Sequence, residues 1–139
     1  MYIFDTDHLS VLERGGVEAQ RLLQRLSTVN PDQVAASIIS YQEQMQGWLS
    51  YINKAQTVDR QVIGYKELKR QLINYCKMPV FEFDQQAAQE FQRLKKLYPR
   101  LGTMDLKIAS VALANRAILL TRNSKDFGNI AGLTIEDWI

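Results

Sequence analysis

Asp5, Glu43, Asp105 and Asp126 are the side chains in this sequence best placed to do chemistry together. Asp5 closes the apolar run "MYIF", and Glu43 falls in the first turn of the helix expected after "VAASII". Asp105 opens the helix that leads into "ILLT", and Asp126 sits in the loop beyond that run. If four ionised carboxylates lie ~6 Å apart at an effective dielectric of ~20, each pair repels by roughly 3 kcal/mol and the set by up to ~17 kcal/mol. That rivals the stability of a whole domain. Such a cluster persists only where protons or a cation compensate it, and hard oxygen donors suit Mg²⁺ or Mn²⁺ rather than zinc. A hard ion that keeps its waters and accepts phosphate oxygens is equipped for phosphodiester hydrolysis.

Each acid also has an ordinary explanation, since carboxylates cap helices and are stabilised in a first helical turn. In "DTDHLS" the better cap is Asp7, which leaves Asp5 with no capping role at the end of a buried strand. His8, a lone histidine in an opening helix, reads as structural rather than as a general base. The single Cys76 excludes an internal disulfide framework and a cysteine-rich zinc site, and reads as a small buried hydrophobe near a helix end.

The elements that must position the acids follow from the apolar pattern. Short runs at Tyr2 to Phe4, Val34 to Ile39, Val80 to Phe83, Ile118 to Thr121 and Leu133 to Ile135 predict strands. Helical spacing predicts helices over Thr6 to Arg14, Val17 to Ser27, Tyr41 to Ala55, Val58 to Tyr75, Gln85 to Leu97 and Met104 to Asn115. Breaks fall at Gly15-Gly16, Asn30-Pro31, Met78-Pro79, Tyr98-Pro99 and Gly102-Thr103. This alternation implies an α/β fold: a central, mainly parallel sheet of four to five strands flanked by helices, in one domain over residues 1–139. Parallel sheets bind ligands beyond the carboxyl ends of their strands, and a right-handed crossover brings the start of Asp105's helix to that same edge. The stripe Val58, Val62, Tyr65, Leu68, Leu72 and Tyr75 is expected to pack into the core.

Composition narrows the class further. With 46% hydrophobic and 23% charged residues the chain reads as an ordinary globular protein, and 17 basic against 15 acidic residues, spread evenly, give neither a basic arm nor an acidic tail. No signal-peptide pattern and no membrane-length apolar run is present, so a soluble, cytoplasmic protein with no membrane partner is expected.

Four stretches resemble PIN-domain ribonucleases, most closely the VapC-type toxins of bacterial toxin–antitoxin pairs: "YIFDTDHLS", "ASIISYQEQMQG", "GTMDLKIASVALAN" and "LLTRNSKDFGNIAGLTIEDW". The resemblance spans essentially the whole chain and implies a PIN-like three-layer sandwich. It makes Asp5 and Asp105 direct ligands of Mg²⁺ (or Mn²⁺), with Glu43 and Asp126 completing a catalytic acidic pocket. Thr121 and Asn123 match polar positions beside the fourth acid, and Gly47 matches a small residue where a side chain would crowd the neighbouring backbone. Arg122 and Lys125, with Arg14 and Lys107, are candidates to hold substrate phosphates. The resemblance further implies an RNA substrate, a cognate antitoxin and a homodimer. In place of the family's more apolar turn after Glu43 stand Gln44, Met45 and Gln46, so this helix is expected to pack differently.

Two rival readings remain. A catalytically silent module could keep the fold and its antitoxin partner. A response-regulator receiver is another small α/β domain with an acidic Mg²⁺ pocket, and Asp84 would be its phosphoacceptor, but the final "IEDWI" supplies no lysine of the kind that fold uses.

Overall fold

The computed structural model describes residues 1–139. Five strands, β1 (Tyr2–Phe4), β2 (Val34–Ser37), β3 (Val80–Phe81), β4 (Ile118–Leu120) and β5 (Ile135–Glu136), form one parallel sheet in the order β3-β2-β1-β4-β5. Seven helices flank it: α1 (Thr6–Arg14), α2 (Val17–Leu26), α3 (Ile38–Lys54), α4 (Val58–Cys76), α5 (Gln85–Leu97), α6 (Thr103–Ala114) and α7 (Ser124–Phe127). A single 3₁₀ turn at Pro31–Gln33 leads into β2.

Strand β1 lies at the centre, pairing Tyr2 with Val34 on one side and with Ile118 on the other. Its alternating side chains therefore feed two different cores. Ile3 joins Leu106, Val111, Leu119 and Phe127 on the face covered by α5 and α6, whereas Phe4 joins Leu9, Leu22, Leu120 and Trp138 on the face covered by α1 and α2. Helix α6 is apolar nearly all round, with Leu106, Ile108, Ala109, Val111 and Ala112 all buried, which is the signature of a helix enclosed by protein. The edge strands β3 and β5 span two residues each, which leaves little unpaired backbone to template further pairing. Between α1 and α2 the chain reverses through Gly15 and Gly16 at φ 74° and 91°, a region open to glycine.

The expected α/β architecture is the observed one, with local differences that have physical causes. Ser37 caps α3 by accepting from the Ser40 N–H at 3.2 Å, so that helix starts at Ile38 and β2 stops sooner than its apolar run. Cys76 is exposed at the end of α4, not buried. The α4 stripe is mostly in water: Val58, Val62, Tyr65 and Leu72 are exposed, and only Tyr75 is fully inside. Helix α4 packs chiefly against α3, so most of its apolar face has no neighbour within the chain.

Glycine roles also differ from expectation. A Cβ on Gly47 would meet nothing within 4 Å, while one on Gly64 would run into the Ile52 side chain and reach Tyr51 Cδ1 at 3.1 Å. Gly64 is thus the residue that sets the close α3–α4 crossing. In denaturant unfolding, Gly64→Val is expected to cost about 1–3 kcal/mol through overpacking. Gly47→Ala should instead raise stability by about 0.5–1 kcal/mol, the helix-propensity gain at an uncrowded position.

Candidate active site

Strand order reverses between β1 and β4: the chain runs outward from β1 to β3 on one side and from β4 to β5 on the other. Asp5 follows β1 and Thr121 follows β4, so they flank the crevice that such a reversal opens. The two ends are bonded together. The Asp5 N–H donates to the Leu120 carbonyl at 2.9 Å, and Thr121 Oγ1 donates to Asp5 Oδ2 at 2.9 Å.

Asp5 also caps α1, its Oδ1 accepting from the Thr6 N–H at 2.8 Å, so the expected cap Asp7 is displaced from that role. Only 7% of Asp5 is exposed. Burial lifts its carboxyl to about 6; the Thr121 and Thr6 hydrogen bonds pull it down, while the charges of Asp105 and Asp7 push it further up. Desolvation therefore outweighs two good hydrogen bonds.

Glu43 is the sixth residue of α3, one turn later than expected, and no acid occupies the first turn. Its Oε1 accepts from Thr6 Oγ1 at 2.7 Å. Because that proton is committed to Glu43, Ser40 Oγ, 2.9 Å from Thr6 Oγ1, is the donor of the second bond. One threonine thus gives its N–H to Asp5 and its hydroxyl to Glu43. Sequence reading passed over Thr6 and Ser40; the threonine between two acids in "DTD" was the available signal.

Asp105 lies in the first turn of α6 and is half-buried. Burial raises its carboxyl, and the charges of Glu43 and Asp126 raise it further. Asp105 therefore feels Glu43 and Asp126, and its own charge is felt in turn by Asp5. Asp126 belongs to the short helix α7 rather than to an open loop, its N–H donating to Asn123 Oδ1 at 3.3 Å while Asn123 Nδ2 donates to Asp126 Oδ2 at 3.0 Å. Asn123 N–H in turn donates to Thr121 Oγ1 at 3.0 Å, which completes a chain of bonds from Asp126 to Asp5.

The candidate basic residues divide. Arg122 makes ion pairs with Asp7 and Glu18, and its hydrogen bonds hold the Asp7 carboxyl below the usual carboxylate range. Lys107 lies over the rings of Phe83 and Phe91, 5.8 and 5.6 Å from their centroids. Lys125 is exposed on α7, its carbonyl accepting from Asn129. Arg14 lines a groove of about 730 Å³ that Glu43 and Thr6 also line, together with Glu13, Glu67 and Arg70.

Gln44 is tied into the packing of α3 in this chain. It is buried, accepts from Tyr75 OH at 2.6 Å, and points Nε2 at Ser10 Oγ and Glu13 Oε2, each 3.4 Å away. His8 is fully enclosed, its Nε2 accepting from the Trp138 N–H at 3.4 Å, and burial lowers its pKa, in keeping with a structural role.

All four acids offer hard oxygens, and burial is the largest cause of the upward shifts of Asp5 and Asp105, with neighbouring carboxylates adding to it. As the side chains stand, no group of three or more His, Cys, Asp or Glu is arranged to hold a metal ion. The donor chemistry fits a hard dication, and ligation would require the carboxylates to turn toward one another.

A PIN-domain family model matches residues 2–133. This chain belongs to the PIN-domain family. The PIN chain is 30% identical over 140 residues to Ribonuclease VapC1 of Haemophilus influenzae strain R2866, covering 99% of itself and 98% of that protein, and equally to its counterpart in strain 86-028NP. Among solved structures it resembles VapBC-1 from nontypeable Haemophilus influenzae, with a TM-score of 0.79, 25% identity, and 99% and 97% of the two chains covered. It also resembles a toxin-antitoxin complex from Klebsiella pneumoniae, with a TM-score of 0.71, 28% identity, and 96% of each chain covered. No helix is long and apolar enough to cross a membrane.

The shift at Asp5 has a measurable sign. Folded Asp5 keeps its proton to about 6 while the unfolded chain loses it near 3.8, so within that window the fold binds more protons and its stability falls as pH rises. Asp5→Asn in metal-free buffer at pH 7.5 is expected to gain about 1–3 kcal/mol. Comparing the two proteins by urea unfolding, this difference should vanish below pH 4.

Proposed function

We propose that this PIN-domain protein is a divalent-metal-dependent endoribonuclease and the toxin of a toxin–antitoxin pair. The observation that carries the reading is the hydrogen-bonded chain that links Asp126, Asp5 and Glu43 through Asn123, Thr121 and Thr6 where strand order reverses, with Asp105 close enough to exchange charge effects with Asp5, Glu43 and Asp126. Full-length similarity to a ribonuclease supports the choice of RNA, and similarity to toxin–antitoxin complexes supports a protein partner. Apolar side chains left in water along α4 supply surface that such a partner would cover.

Asp5 and Asp105 would hold Mg²⁺ or Mn²⁺, with Glu43 and Asp126 directly or through water. When bound, the ion supplies a more acidic water and neutralises charge on the phosphate. The chain's own residues do the rest. Thr6 and Thr121 fix both oxygens of Asp5, each of which keeps a further lone pair for a ligand. Glu43 is oriented through Oε1 by Thr6, which leaves Oε2 to accept a proton from the water that attacks phosphorus. As the new P–O bond forms, the bond to a ribose oxygen breaks and that oxygen takes up a proton. Asn123 would steady Asp126 through its side-chain amide. Arg14, in the adjoining groove, is placed to meet a neighbouring phosphate.

Of the rivals, the receiver reading fares poorly because Asp84 is committed to capping α5, accepting from the Ala87 N–H at 2.9 Å. The silent-module reading differs only in turnover. Cleavage of a fluorogenic RNA in Mg²⁺ or Mn²⁺ separates them: Asp105→Asn should lower the rate about 10²-fold or more, and EDTA should abolish it. Activity that survives chelation, or full activity in Asp105→Asn, would sink the metal mechanism; an inactive but antitoxin-binding wild type would favour the silent module.

A further inference from the structure

Arg122 stands between two residues that each hold a carboxylate: Thr121 bonds Asp5 and Asn123 bonds Asp126. Its own guanidinium turns the other way. Nε donates to Asp7 Oδ2 at 2.7 Å and Nη2 to Asp7 Oδ1 at 3.2 Å, a bidentate pair, while Nη1 donates to Glu18 Oε2 at 3.2 Å. Asp7 lies in the first turn of α1, two residues beyond Asp5, and Glu18 in the first turn of α2.

We infer that Arg122 is a positioning residue, clamping the β4–α7 loop to the start of α1 so that Thr121 and Asn123 hold Asp5 and Asp126 in register. The inference rests on the nuclease reading above. Two carboxylates already take three of its five N–H donors and offset its charge, which makes it a poor anchor for an RNA phosphate. Fork-to-fork geometry fixes orientation as well as distance, which a lysine cannot reproduce. The partners are between about a third and a half exposed, so the pair contributes little to global stability and its effect should be local.

Breaking the clamp from either side distinguishes it from a phosphate contact. Arg122→Gln and Asp7→Asn are each expected to lower kcat about 10-fold, as loss of a residue supporting a ligand does. RNA affinity measured in EDTA should change by no more than about twofold, and the double variant should be no worse than either single one. Arg122→Lys should recover only part of the rate. Amide exchange across residues 121–126 should quicken in both single variants while the global unfolding midpoint holds.

The opposite pattern overturns the clamp: Arg122→Gln weakens RNA binding and flattens its salt dependence, while Asp7→Asn leaves kcat unchanged or raises it. Unchanged exchange across residues 121–126 would also overturn it. Failure of the nuclease reading looks different, because the wild type would then cleave no RNA in either metal while the exchange measurement still reported on the clamp.

Discussion

The hydrogen bond from Thr121 to Asp5 joins the two strands between which the sheet changes direction, and the acidic site is built outward from it. A parallel sheet in this order sends its connecting helices away on opposite sides of β1, which leaves the carboxyl ends of β1 and β4 uncovered. Asp5 stands there because β1 is central and buried on both faces, so the first residue after it has little access to water. Two hydrogen bonds would ordinarily hold such a carboxyl low, yet its pKa rises to about 6. Burial wins at this position, and the protein carries a carboxylate that is uncomfortable when ionised.

Asp105 makes the same point from the other side of the pocket. A first-turn acid gains roughly 0.3–1 kcal/mol from the helix dipole, and Gly102, which precedes α6, provides no side-chain cap. The Asp105 carboxyl is nevertheless raised, so burial and the charges of Glu43 and Asp126 together exceed what the dipole returns. Helix α6 cannot relieve the repulsion by shifting, since it is enclosed by Ile3, Leu94, Leu119 and Phe127. Packing of the apolar core thus enforces an electrostatic conflict that a cation would resolve.

The sheet, its direction and α1 and α5 were legible because apolar runs end sharply at Asp5 and Thr121, and because turn residues stand where chain direction changes. The acids at the carboxyl edge followed from that order. Less accessible were the details that depend on one hydrogen bond. Asp5 rather than Asp7 caps α1 because Asp7 is drawn to Arg122, a partner 115 residues away. Glu43 came a turn late because a serine cap starts α3 inside an apolar run. The resemblance pointed to Gly47 and nothing in the sequence marked Gly64, because no sequence pattern shows where another helix crosses closest.

Helix α4 exposes a more general limit of periodicity. An apolar stripe at helical spacing reports that one face of a helix avoids water, and it does not say whether the covering surface lies in the same chain. Here α4 is anchored at two places, the close crossing of Gly64 against Ile52 and the Tyr75–Gln44 hydrogen bond near its end. The polar contacts of Gln44 with Ser10 and Glu13 tie α3 to α1 at the same level, so the helix pair is held firmly at its base. Along the rest of the stripe, Val58 is 73% exposed and Tyr65 59%. Burying each such side chain is worth about 1.5–3 kcal/mol, so leaving them in water forgoes stabilisation that a different packing of α4 could have secured within the chain. The pair is thus held toward both of its ends while the stripe between and beyond the anchors, Val58, Val62, Tyr65 and Leu72, stays in water, so packing within the fold is satisfied by a few close contacts and not by the stripe as a whole.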